Sequence, residues 1–191
     1  MKKSNTKRTS TEALVIAAVL TALVVVLQLL CSFIKTGIFS ITLALIPIVI
    51  GASKCGAKVG AWLGFVFGLV VLLVGDAAPF LAVNVGGTIL TVLLKGALSG
   101  LCAGLVYKLL EKHNKYVAVI VAAIVCPIVN TGVFVLGCLA FFMDTIASWA
   151  GGGDAFAYIF VGMIGVNFFI EIATNVVLSP AVVRLLNLKK N

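Results

Sequence analysis

Apolar residues run in six long blocks, at residues 13–34, 39–54, 57–75, 86–109, 117–142 and 157–186, and polar residues collect in the short breaks between them. A helix needs about 20 apolar residues to cross the ~30 Å hydrocarbon core of a bilayer. The pattern therefore predicts an all-α integral membrane protein with six transmembrane helices. Residues 1–12 read as a basic tail, 13–186 as a single six-helix membrane domain and 187–191 as a second short tail. The second block is short for a crossing and holds Pro47 in its middle, which predicts a bend or a partial entry supported by neighbouring helices.

Small residues form stripes inside three blocks. Gly56, Gly60, Gly64 and Gly68 recur every fourth residue in the third, and Gly96, Gly100 and Gly104 do so in the fourth. A spacing of four places each set on one helical face, where absent side chains let two backbones approach. Both stripes are read as internal packing. Ala13, Ala17, Ala18 and Ala22 make a shallower stripe in the first block, suited to contact with another membrane protein.

Composition agrees with the pattern: 62% of residues are hydrophobic and 10% charged, outside the balance of a soluble domain. The net charge of +8 is spread in twos to fours along the chain and forms no basic stripe, so no nucleic-acid partner is expected. Lys2, Lys3, Lys7 and Arg8 precede the first block. Lys54 and Lys58 flank the second break, Lys108, Lys112 and Lys115 the fourth, and Arg184, Lys189 and Lys190 the end of the last block. Positive loops remain in the cytoplasm, which predicts both termini inside and Asp76, Asp144 and Asp154 outside. The first block has about 22 residues and no small-residue cleavage site, so it is expected to be a retained span and no signal peptide.

Two cations escape this topology, Lys35 in the first outer break and Lys95 about ten residues into the fourth span. Lys95 and Glu171 are each expected near mid-membrane, where a charge costs roughly 2.5–3.5 kcal/mol on insertion scales. Both must face a partner or a wet cavity, and either an ion pair between them or a ligand pocket satisfies that need. Asn130, Asn167 and Asn175 add amides at similar depth, with Asn167, Glu171 and Asn175 on one face of span six. Amides both donate and accept, so Asn130 and Asn167 are candidate ligand contacts, as is Asn84 at the head of span four. The outer breaks carry glycines and the aromatic residues Trp149 and Tyr158, which suit a lid. Phe39, Trp149 and Tyr158 are candidate stacking partners for a ring.

Other chemistry is missing from the sequence. Cys31, Cys55, Cys102, Cys126 and Cys138 are isolated, with no C-x-x-C spacing, and His113 stands alone in a basic break. No P-loop and no nucleophile or zinc motif occurs. The chain reads as no enzyme, binding no cofactor or metal of its own, and as a binding subunit that needs a partner for energy. The alternative is an autonomous proton-coupled secondary transporter that uses Glu171 as its carrier.

The run Ile41 to Ala52, followed by Gly56-Ala57-Lys58-Val59-Gly60-Ala61, resembles the second-to-third span signature of the substrate-binding S components of energy-coupling factor (ECF) vitamin transporters. Lys95-Gly96 through Tyr107, Asn130, and Asn167 to Pro180 are similar to that family's later spans. The resemblance implies six helices in a bacterial plasma membrane, with a water-soluble vitamin held on the outer side by spans four to six and the first outer loop. It also implies that Ala13, Ala17, Ala18 and Ala22 dock on a transmembrane coupling (T) subunit, and that two cytoplasmic ABC ATPases use the ATP. At Lys95 the family often has Arg, so charge is kept while the planar fork is lost. Pantothenate is the first expectation for the vitamin, since Lys95 suits its carboxylate, followed by riboflavin or folate.

Overall fold

In a computed structural model the described residues are 6–33, 35–36, 39–40 and 42–187, and nearly all of them are helical. Helix α1 spans Thr6–Ser32. Two two-residue strands, β1 at Lys35–Thr36 and β2 at Phe39–Ser40, pair antiparallel. Helices α2 (Leu45–Cys55) and α3 (Ala57–Val74) follow, then a short α4 (Ala78–Leu81) and the long α5 (Val85–Leu110) and α6 (Lys115–Phe141). The chain ends with α7 (Met143–Trp149), α8 (Ala155–Ala157), a π-helical segment at Tyr158–Ile164, and α9 (Gly165–Asn187).

Among the described residues five stretches are long and apolar enough to cross a membrane: Thr11–Ser32, Ala57–Val74, Val85–Leu110, Lys115–Phe141 and Ala155–Arg184. The second predicted span departs from expectation. Its helix has only 11 residues, about 16 Å at 1.5 Å per residue, because Pro47 sits in its first turn, where a missing N–H costs nothing. The preceding residues turn through the β1–β2 pair instead. Such a short helix is enclosed: α1, α3, α5, α6 and α9 all touch α2, and Leu45, Ile48 and Ala52 are completely buried.

Glycines set the centre of the bundle. Gly60 faces Gly100 and Gly64 faces Gly96 between α3 and α5, and a Cβ on any of the four would overlap backbone of the other helix. Gly68 lies against Val92, and Gly104 against Ala57. Gly56 belongs to the α2–α3 turn, where its φ of 97° favours a residue without Cβ and nothing approaches it within 4 Å. Helix starts are capped by side chains, with Asn84 Oδ1 accepting from Gly87 N at 2.9 Å and Asn114 Oδ1 from Tyr116 N at 2.9 Å.

Short connections between successive helices divide the charges between the two ends of the bundle. The α2–α3 and α5–α6 connections carry Lys54, Lys58, Lys108, Lys112 and Lys115 at one end; Asp76, Asp144 and Asp154 lie in the connections at the other. These are called the basic and acidic ends below.

Candidate functional site

A cavity opens within the half of the bundle nearer the acidic end. It gives about 90 Å³ to the centre of a water-sized sphere, against roughly 10–15 Å³ for a single water, so it is large enough for an organic ligand rather than a trapped solvent molecule. Every long helix contributes: Gln28 from α1, Phe67 and Val71 from α3, Thr88, Thr91 and Lys95 from α5, Asn130 and Phe134 from α6, Asn167 and Glu171 from α9. The short α4 adds Phe80, and the connections add Thr42, Asp76 and Phe142.

Helix α5 positions its polar residues on one inward face, since Thr88, Thr91 and Lys95 are three and four apart. Lys95 does not close onto Glu171 by a hydrogen bond. Its Nζ lies 5.9 Å and 5.3 Å from the ring centroids of Phe67 and Phe134, so the ammonium is held against aromatic faces while lining the cavity. Glu171 is buried and has the Thr42 hydroxyl as its hydrogen-bonding partner. Asn175, one turn further along α9, turns back to its own helix and donates from Nδ2 to Glu171 O at 2.8 Å. The polar stripe of span six therefore divides, with Asn167 and Glu171 on the cavity and Asn175 below it.

The opposite wall is built by Asp76. Its Oδ2 accepts from Gln28 Nε2 at 2.9 Å and stands 2.7 Å from Ser32 Oγ. This ties the end of α1 to the α3–α4 turn. Because a carboxylate only accepts, the Gln28 amide must present its nitrogen to Asp76, and its Oε1 is left buried without a partner. Thr91 Oγ1 and Asn130 Oδ1 are likewise buried and unpartnered. Buried polar atoms in native proteins are nearly always hydrogen-bonded, so three such atoms on residues lining one cavity mark it as a place for a polar guest.

Lys95, Asn130, Asn167 and Glu171 come together on this cavity; other sequence candidates do not. Asn84 is occupied as the N-cap of α5. Trp149 stacks edge-on against Phe80 at 5.5 Å, and Tyr158 joins the same apolar cluster with Ile146 and Ile159. These rings stand behind the cavity wall and do not line it. The side chains of Lys35 and Phe39 lie outside the described residues. Gln28, Thr42, Asp76, Thr88 and Thr91 were not singled out by sequence, although Gln28 was visible as the lone amide in the first apolar block.

The alanines of α1 also separate. Ala18 and Ala22 are exposed beside Leu14, Val15, Val19 and Val26, whereas Ala13 and Ala17 are half-buried. Ala17 lies toward α3, its carbonyl accepting from Thr21 Oγ1, which in turn accepts from Trp62 Nε1.

No group of three or more metal-ligating side chains gathers among the described residues. The family model described as "ECF transporter, substrate-specific component" matches residues 12–183. No curated protein and no solved structure matches the chain. The match runs from the first turns of α1 to the last turns of α9 and so takes in every helix that builds the cavity: the chain belongs to the substrate-specific components of ECF transporters, a family of multi-pass membrane transport proteins.

Proposed function

We propose that the chain binds a water-soluble vitamin or vitamin precursor with high affinity at the outer side of a bacterial plasma membrane. It hands that cargo inward as the S component of an ATP-driven assembly with a transmembrane T subunit and two cytoplasmic ABC ATPases. The observation that carries this reading is the cavity itself, lined by Lys95 and by residues whose atoms Gln28 Oε1, Thr91 Oγ1 and Asn130 Oδ1 are buried without partners.

In this reading the basic end and both termini are cytoplasmic, and α2 with the segment before it completes the sixth passage. The acidic end then faces outward, which sets the cavity toward the side from which a nutrient arrives. Pantothenate is the first assignment. Its carboxylate suits Lys95, its amide and hydroxyl groups suit Asn130, Asn167 and the threonines, and a cavity of about 90 Å³ favours a small cargo. Riboflavin and folate follow, with Phe80, Phe134 and Phe142 in place of Trp149 and Tyr158 as ring contacts.

Purified in mild detergent, the isolated chain should show saturable quenching of Trp149, which touches the cavity-lining Phe80, at nanomolar concentrations of one vitamin from a panel of pantothenate, riboflavin and folate. Trp62, exposed on α3, should be silent, so Trp149→Phe should abolish the signal. A flat response confirmed by calorimetry, from folded protein, would overturn the reading.

A further inference from the structure

The cavity has two chemically different poles. One is the cation Lys95, about ten residues along α5, or roughly 15 Å from its start at 1.5 Å per residue. The other is the Gln28–Asp76 pair at the acidic end, where α1 finishes and the α3–α4 turn begins. Gln28 is 1% exposed, yet it lines the cavity, and only its nitrogen is satisfied.

We infer that Gln28 and Asp76 form a hydroxyl-reading subsite, which selects a cargo carrying an aliphatic O–H donor in addition to the group that meets Lys95. This inference rests on the vitamin-binding reading of the cavity. The chemistry follows from the donor and acceptor inventory. Gln28 Oε1 is a pure acceptor and calls for a donor. Asp76 is also a pure acceptor, and each of its oxygens has two lone pairs. A hydroxyl fits this pair, because it gives its proton to Gln28 Oε1 or to Asp76. An ammonium fits less well: Asp76 already holds two hydrogen-bond contacts that spread its charge, from Gln28 and Ser32, and Lys95 faces the same cavity. A carboxylate at this pole would stand against Asp76.

The presence of both groups on one cavity narrows the class further. The cargo has an acidic or strongly accepting group for Lys95, a hydroxyl for Gln28 and Asp76, and an apolar flank for Phe80 and Phe134. Pantothenate has this layout, with its carboxylate and its hydroxyls at opposite ends, and the ribityl chain of riboflavin also presents hydroxyls. Folate has no aliphatic hydroxyl.

A cycle over protein and ligand tests the subsite on the full chain in detergent, read by calorimetry. Pantothenate is compared with two analogues, each having one hydroxyl replaced by hydrogen, on the wild type and on Gln28→Leu; if riboflavin is the vitamin bound, deoxyribityl analogues take their place. On the wild type, at least one deoxy analogue should bind 10- to 100-fold more weakly than its parent. On Gln28→Leu that ratio should shrink toward one, an effect that a general loss of packing does not produce. Asp76→Asn, which keeps shape and removes charge, should shrink it in part and provides the second variant if Gln28→Leu folds poorly. Deoxy analogues that lose the same factor in wild type and both variants would overturn the subsite while leaving vitamin binding intact. Binding of folate alone would do the same. Failure of the wild type to bind any of the three vitamins would instead remove the reading on which the subsite rests.

Discussion

Gly64 and Gly96 sit face to face across the α3–α5 contact, where a Cβ on either would overlap the other's carbonyl oxygen. In lipid no hydrophobic expulsion drives helices together, so van der Waals contact between backbones must do it. This contact also fixes the cavity, because Lys95 precedes Gly96 and Phe67 follows Gly64 by three residues.

Replacing Gly64 by Leu should therefore loosen the whole bundle rather than one wall. Overpacked cores lose about 1–3 kcal/mol, and here the obstructing atoms are backbone, which cannot rotate away. Thermal unfolding in detergent should show a lower midpoint for Gly64→Leu and for Gly96→Leu. Gly132→Leu is the control, since a Cβ there has nothing within 4 Å. Equal midpoints for all three would refute the contact.

Asn130→Ala should weaken vitamin binding about 10- to 100-fold, the 1–3 kcal/mol scale of a lost hydrogen bond to a buried group, while folding persists. The Asn130 Oδ1 has no protein partner to lose, so thermal stability without ligand should hold or rise slightly. Binding is read by calorimetry and stability by an unfolding scan. Unchanged affinity together with lowered stability would make Asn130 a structural amide.

Ala18→Trp and Ala22→Trp should leave vitamin affinity within about twofold and abolish transport by the assembled complex, because both positions are exposed and a bulky residue there blocks close helix contact. Ala17→Trp should behave differently. It falls beside the Thr21–Trp62 hydrogen bond, so it should lower thermal stability of the isolated chain. Transport that survives both Ala18→Trp and Ala22→Trp would place the partner elsewhere.

How much of this was legible in the sequence depended on cost. Lys95, Glu171, Asn130 and Asn167 stood out because a charge or amide in an apolar span is expensive, and all four line the cavity. The threonines did not stand out, because a hydroxyl in a helix satisfies itself cheaply on the preceding turn, as Thr88 Oγ1 does on Asn84 O at 2.7 Å. Asp76 read as an outer-loop charge, since nothing local shows that Gln28 lies beside it, 48 residues away. The glycine periodicity of spans three and four was read as internal packing, and the two stripes meet each other. The alanine stripe of span one was misleading in part: Ala17 and Ala18 are neighbours in sequence and so, at 100° per residue, point to different sides of α1. Trp149 was read as a lid residue from composition alone, and its apolar ring found a drier place against Phe80. The π-helical segment at Tyr158–Ile164 had no signal beyond Gly162 and Gly165, because an extra residue per turn depends on packing against other helices.

Liposomes containing this chain alone should accumulate no vitamin under an imposed proton gradient, whereas liposomes that also hold the coupling subunit and both ATPases should do so when ATP is supplied. Glu171 is the only carboxylate in the interior of a long helix that also lines the cavity among the described residues, so it is the residue through which a proton route would have to pass. Its hydrogen bond to Thr42 ties the residue three before α2 to α9 at the wall of the cavity. Glu171→Ala should therefore raise the dissociation rate of the vitamin, read by stopped-flow recovery of Trp149 fluorescence, and Thr42→Val should raise it by a similar factor. If the chain alone instead concentrates vitamin, and Glu171→Gln collapses that accumulation, the protein is an autonomous proton-coupled carrier.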